Sequence, residues 1–182
     1  PRYSVVKVNM ETGDAPETFL PQQTDVIAAT DVSYSSGIIA GKDVLYVLLR
    51  RIGNMQILKV DYKTKAASLL PIIEKVSITE LSLSGDNDLI FGMGSPIKNV
   101  QYMHYNFSNN ILSAVPFAAK VFDASEELAT KVITIPSRDG KMIPVSLLFK
   151  KGLDLKNNNA LLIDGYGNSG SSTDLFYDPT YM

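Results

Sequence analysis

Residues Ile57–Pro71 read ILKVDYKTKAASLLP: an apolar strand, an Asp, a polar turn, a second strand and a Pro. The same order recurs in Val5–Pro21 (VVKVNMETGDAPETFLP) and in Tyr102–Pro116 (YMHYNFSNNILSAVP). Aligning Asn9, Asp61 and Asn106 gives spacings of 52 and 45 residues. Self-similarity at about 40 to 50 residues is the period of β-propeller blades.

Between these hairpins lie further short strands, Tyr34 to Ala40 and Val44 to Arg51 in one repeat, Ile78 to Leu83 and Asp88 to Met93 in the next. Turn clusters separate them, Ala40-Gly41-Lys42-Asp43 and Ser84-Gly85-Asp86-Asn87. Each repeat therefore reads as about four antiparallel strands. Stacked radially, such units bury their sheet faces and leave only short edges. Two full blades and the end of a third fit within residues 1–118. A β-sandwich also shows short strands at regular spacing; the matched Asn/Asp and Pro positions favour the propeller.

After Lys120 the texture changes. A polar connector, Ser125-Glu126-Glu127-Leu128, precedes the strands Lys131 to Pro136 (KVITIP) and Met142 to Phe149 (MIPVSLLF). Between them Asp139-Gly140 supplies the positive-φ position of a tight turn. Lys150-Lys151-Gly152 and the polar stretch Asp154 to Asn159 predict a surface loop. The near-continuous apolar run Ala160 to Asp164 (ALLID) predicts a strand buried on both faces, as in a helix-covered sheet. A glycine-rich segment, Gly165 to Ser172, follows it, where α/β domains place function. The fold expected is mostly β: a partial propeller of about two to three blades in residues 1–119, then the first strands of a second domain in 120–182.

Composition narrows the function classes. Apolar residues are 45% and charged residues 20% of the chain, a globular balance that indicates neither disorder nor a fibrous repeat. Seventeen basic against nineteen acidic side chains give a net charge of -2. That excludes the strong basic field that nucleic acid selects. The absence of Cys removes disulfides, thiolate metal sites and a thiol nucleophile, and suits a reducing, cytoplasmic compartment. No apolar run approaches the ~20 residues of a membrane span. The start without Met and the end at Pro179-Thr180-Tyr181-Met182 read as truncations at both ends.

The run Ser137-Arg138-Asp139-Gly140-Lys141-Met142-Ile143-Pro144-Val145-Ser146-Leu147-Leu148-Phe149-Lys150-Lys151-Gly152, followed by Leu161-Leu162-Ile163-Asp164-Gly165-Tyr166-Gly167, resembles the prolyl oligopeptidase family of serine peptidases. That family includes prolyl oligopeptidase and oligopeptidase B. Its members set a seven-bladed propeller over an α/β-hydrolase domain, and the run looks like the opening of the hydrolase domain. The Arg-Asp-Gly-x-x-Ile-Pro-Val-Ser pattern is somewhat more similar to oligopeptidase B. Two positions depart from the family: Asp164 and Ser169 stand where aromatic residues are usual, so substrate contacts made by those rings are not expected.

The resemblance implies hydrolysis of short peptides through an acyl-enzyme. Acyl transfer needs a nucleophile, a base and donors aimed at the developing oxyanion. The resemblance makes Tyr166 the oxyanion donor, on a substrate loop with Gly165, Gly167 and Asn168. No Gly-x-Ser-x-Gly elbow occurs in the chain, so the Ser, Asp and His are expected beyond Met182 and the isolated chain is expected to be inert. The single histidine, His104, reads as a strand-face residue with a structural role. Gly92-Met93-Gly94-Ser95-Pro96 lacks the Lys-Ser/Thr of a phosphate loop. Asp86-Asn87-Asp88 lacks the spaced ligands of a calcium loop and reads as a solvated turn, so neither cofactor nor metal is expected. The rival readings are a non-catalytic propeller binding module and a dipeptidyl-peptidase-type exopeptidase. The latter needs an amine-binding acidic pair in the propeller, and the sequence offers none.

Overall fold

The three repeated hairpins are built by one local device. Asn9 Oδ1 accepts from the backbone N–H of Glu11 (3.0 Å) and Thr12 (3.3 Å). Asp61 Oδ1 accepts from Lys63 (2.9 Å) and Thr64 (2.7 Å), and Asn106 Oδ1 from Asn109 (3.1 Å). Four residues after each Asn or Asp the chain enters the left-handed region, at Gly13 (φ 66°), Lys65 (58°) and Asn110 (58°). A short side chain that bonds the backbone two or three residues on, followed by a left-handed residue, reverses the chain tightly.

The computed structural model describes residues 4–21, 26–27, 37–51, 54–72, 75–116, 122–165 and 176–181. Thirteen strands form among them: β1 Val5–Lys7, β2 Glu17–Leu20, β3 Val26–Ile27, β4 Ile38–Ala40, β5 Val44–Arg51, β6 Asn54–Asp61, β7 Ala67–Leu69, β8 Ser77–Ser84, β9 Asp88–Ser95, β10 Lys98–Asn106, β11 Ile111–Ala114, β12 Leu128–Pro136 and β13 Met142–Lys150. A 3-10 turn, Pro179–Tyr181, follows. No α-helix occurs among the described residues. All strand pairings are antiparallel.

The repeats become sheets. β8 to β11 form one four-stranded meander. β5, β6 and β7 form the previous one, with β3 and β4 both paired to the free edge of β5 as two pieces of a first strand. β1 and β2 form a two-stranded hairpin ahead of it. This is the propeller-like part expected from the period. The start of the predicted strand at Tyr34 lies outside the described residues.

Packing follows from alternation. On β5, Val44, Tyr46 and Leu48 face the next sheet and join Ile57, Ile78, Leu89 and Phe91 in one buried cluster. Leu45, Val47 and Leu49 face the other way and join Leu58, Val60 and Leu20. The middle sheet is covered on both faces, which is why six consecutive β5 residues are buried. Each such side chain contributes about 1.5–3 kcal/mol. On β8 a bulge between Thr79 and Ser82 turns Leu81 into the core while Glu80, at φ 55°, stays on the surface and accepts a hydrogen bond from the Tyr102 hydroxyl.

β12 and β13 form a separate two-stranded ribbon, closed at Pro136↔Met142 by a turn in which Gly140 has φ 79°. β12 begins three residues before the expected start, because Leu128 still pairs with Lys150. Neither outer edge of the ribbon pairs with another described strand, so Pro144 sits in β13 without removing a ladder bond. The predicted loop is present: residues 151–159 are exposed, with Asp154 Oδ1 accepting from the Lys156 N–H at 3.0 Å.

One expectation is corrected here. Ala160 to Asp164 is not a buried strand: it is irregular, and Leu161, Leu162 and Ile163 are 75%, 74% and 81% exposed. A strand buried on both faces needs strands at its edges and helices on its faces, and the described residues supply neither. The hydrolase part of the expected fold is therefore not visible.

Candidate functional site

The ribbon joins the last sheet through a short clip. The Asn99 N–H donates to the Phe122 carbonyl (3.1 Å) and the Ala124 N–H to the Ile97 carbonyl (2.8 Å). The Phe122 N–H donates to Asn99 Oδ1 (2.7 Å), and Lys98 Nζ lies 3.3 Å from Asp123 Oδ2. Hydrogen bonds from Ser125, side chain before backbone, and the nearby Lys98 ammonium hold the Asp123 carboxyl below its usual range. Phe122 also meets the Tyr177 ring, centroids 5.0 Å apart, which brings residues 176–181 back beside the clip.

Between sheet and ribbon lies a cleft of about 840 Å³. Ser77 and Pro96 form the sheet wall, Val132 and Leu148 the ribbon wall, and Leu161 and Leu162 the third side. Such a size falls in the range of ligand sites, which combine apolar lining with a few polar groups. Asp178 lies at its rim; hydrogen bonds from Thr180 Oγ1 (2.7 Å) and N–H (2.8 Å) hold its carboxyl below the usual range.

Of the four residues singled out for catalysis and substrate binding, only Gly165 is described; it is exposed, directly after the cleft residue Asp164. Tyr166, Gly167 and Asn168 lie outside the described residues, as does Ser169. His104 is a strand residue of β10, with Nε2 3.2 Å from Asp88 Oδ2. Asp88 also accepts from Asn106 Nδ2 (3.1 Å) and the Phe107 N–H (2.9 Å), a turn-holding role.

The Asp86–Asp88 turn differs from the solvated turn expected. Asn87 is half-buried against the preceding sheet, bonded to Asp43, and its carbonyl accepts from the Tyr46 hydroxyl at 2.6 Å. Sequence reasoning did not find this tie. The signal was present: the Gly-Lys-Asp and Gly-Asp-Asn clusters occupy the same place in successive repeats. Among the described residues no three His, Asp or Glu side chains are grouped to hold a metal, and no helix is long and apolar enough to cross a membrane.

No family model and no curated protein sequence matches the chain. Solved structures do. Prolyl oligopeptidase B from Galerina marginata, a mutant bound to a 35mer hydrolysis and macrocyclization substrate, matches with TM-score 0.79 and 17% identity over 99% of this chain and 25% of that one. Oligopeptidase B from Trypanosoma brucei with covalently bound antipain, in a closed form, matches with TM-score 0.72 and 18% identity over 91% and 24%. A post-proline cleaving enzyme from Rickettsia typhi matches with TM-score 0.70 and 15% identity over 94% and 24%. The chain spans about a quarter of the length of these proteins and has the fold of that stretch of them.

Proposed function

We propose that this chain belongs to a serine peptidase of the prolyl oligopeptidase family, with the last propeller blades in residues 1–119 and the start of the α/β-hydrolase domain in 120–182. The observation that carries this reading is continuity. The fold likeness extends over 99% of the chain, past the last blade sheet and through the ribbon. The ribbon also holds the Ser137–Gly152 run on which the sequence resemblance rests. A propeller binding module alone has no need of that second part.

In this reading the whole protein hydrolyses short peptides, in the cytoplasm, through an acyl-enzyme. The nucleophile, base and orienting carboxylate come from residues other than these 182, which contain no nucleophile elbow. Tyr166 donates its hydroxyl to the oxyanion, and the glycines on either side let the backbone turn sharply enough to present the phenol. The blades restrict entry to peptides and exclude folded proteins.

The test is an assay of the whole protein on fluorogenic peptides carrying Pro or Arg before the cleaved bond, alongside Tyr166→Phe. Cleavage is expected, with the variant slower by about a hundredfold to a thousandfold at unchanged circular dichroism. Equal turnover would remove Tyr166 from the mechanism; no cleavage of either peptide would remove the peptidase reading.

A further inference from the structure

Lys59 crosses the gap between the middle and last sheets. It stands on β6 next but one to Ile57, on the face turned to the last sheet. Its Nζ donates to the Tyr105 hydroxyl oxygen at 2.9 Å and to Asn110 Oδ1 at 2.5 Å. The Tyr105 hydroxyl in turn donates to Asn110 Oδ1 at 2.7 Å, which closes a triangle of hydrogen bonds. The Tyr105 and Phe107 rings each lie with their centres 5.5 Å from the same ammonium. Each of the two sheets has its strands from first to last among the described residues, β3 and β4 to β7 in one and β8 to β11 in the other, so both walls of this gap belong to the chain itself.

Among the described residues this ammonium forms no ion pair with a carboxylate. Asp61, two residues on along the same face, is turned to its own hairpin, where it accepts from the Lys63 and Thr64 N–H groups. Lys59 is held instead by the oxygens and ring faces of neutral groups, all supplied by the last sheet. That cage selects charge: an ionised donor bonds about twice as strongly as a neutral one, and a cation is what the ring faces attract. Its outer corner is Asn110, a left-handed residue (φ 58°) between β10 and β11. The charge on one sheet thus fixes the outer turn of the next. Tyr105 is buried at 1% exposure, whereas the bond to Asn110 is open to solvent, so Nζ is reached from outside at that corner.

We propose that Lys59 is a site of acylation, and that its modification unlatches the two sheets. The free amine attacks the carbonyl carbon of an activated acyl donor, an acyl phosphate or an acyl thioester. The C–N bond forms, the bond from that carbon to the phosphate oxygen or the sulfur breaks, the leaving group takes the electron pair, and the protons shed by the ammonium go to water. The amide product keeps a single N–H and no charge. It therefore serves one of the two oxygens that the ammonium served, loses the attraction of both rings, and brings a new carbonyl oxygen against Asn110 Oδ1, acceptor against acceptor. This device is independent of the peptidase reading.

Hydrogen exchange of the Asn109 and Ile111 amides, both bonded within the β10–β11 turn, reads the latch in the whole protein. Nε-acetyl-lysine installed at position 59 is expected to speed that exchange about tenfold, the equivalent of one lost hydrogen bond, and Lys59→Gln to act in the same direction. Nε-methyl-lysine and Lys59→Arg keep the charge and are expected to exchange as the unmodified protein does. Incubation with acetyl phosphate, followed by peptide mass spectrometry, is expected to place acetyl on Lys59 as well as on the exposed Lys156. If Lys156 is acetylated and Lys59 is not, Lys59 is no acylation site. If acetyl-lysine at 59 leaves the exchange unchanged, or methyl-lysine speeds it equally, charge does not hold the latch. Each of these results overturns the proposal and leaves the peptidase reading untouched.

Discussion

Asn87 and Asp43, which occupy the same place in successive sheets, exchange two hydrogen bonds across the gap between them. The Asp43 N–H donates to Asn87 Oδ1 at 2.8 Å, and Asn87 Nδ2 donates to Asp43 Oδ2 at 2.9 Å. The Lys42 N–H adds a third bond, to the Asp86 carbonyl at 2.9 Å. These turns tie one blade-like sheet to the next at the edge of the apolar core, where the buried Tyr46 hydroxyl reaches the Asn87 carbonyl.

Asn87→Ala is expected to destabilise the protein by about 1–3 kcal/mol, because it leaves the half-buried Asp43 N–H and carboxylate without partners. Asn87→Asp keeps the acceptor but sets two carboxylates against each other. Its loss is expected to be large at neutral pH and smaller in acid, where a proton held between the two carboxyls relieves the repulsion. Urea midpoints of the two variants at neutral and mildly acidic pH check this; an Asp variant insensitive to pH would show that the pair is not in contact.

Gly41 stands against this tie. A Cβ there would lie 2.8 Å from the Asp86 carbonyl oxygen and 3.0 Å from Asn87 Oδ1. Gly41→Ala is therefore expected to push the two turns apart, at about 1–3 kcal/mol. Gly140 is the opposite case: its φ is 79° but a Cβ would meet nothing within 4 Å. Gly140→Ala should cost about 1 kcal/mol, from backbone strain alone. Thermal melts of the two variants separate crowding from strain, and an equal, small loss would refute the crowding argument.

Tyr46 is wholly buried beneath the same turn and donates its hydroxyl to the Asn87 carbonyl. Burial, then the neighbouring Tyr105 and Asp88, raises its pKa far above the ordinary 10.0. In the unfolded chain the phenol ionises at its ordinary value while the folded protein keeps the proton. The stability this group contributes is thus complete below pH 10 and is lost as the pH rises beyond it. Tyr46→Phe is expected to flatten that alkaline decline and to cost about 1 kcal/mol at neutral pH for the lost hydrogen bond. Stability measured from pH 8 to 11 in both proteins checks the sign.

Asp61 carries the turn of the β6–β7 hairpin. Hydrogen bonds from Thr64, backbone first and side chain second, hold its carboxyl below the usual range. A depressed folded-state pKa gives stability that is present above the unfolded value of 3.8 and disappears as the pH falls through the lower, folded one. Asp61→Asn keeps an acceptor without a charge and is expected to remove that acid-limb dependence. Acid titration of stability in wild type and variant should diverge only below about pH 4; parallel curves would exclude Asp61 as the source.

What the sequence determined by itself is local. Asn9, Asp61 and Asn106 bond backbone two or three residues away, and Asp139-Gly140 turns its own ribbon. Each needs only neighbours within a few residues, so each could be read from the linear order, and the period of the hairpins carried the blade-like sheets with it. Tertiary structure alone decided the rest. Asp43 meets Asn87 across 44 positions, β5 is buried on both faces because a sheet lies on each side, and Lys59 reaches Tyr105 and Asn110 of the next sheet. The run Ala160 to Asp164 shows the limit from the other direction. Its composition favours a buried strand, but a strand is completed by hydrogen bonds from other strands, and an apolar sequence cannot supply its own partners.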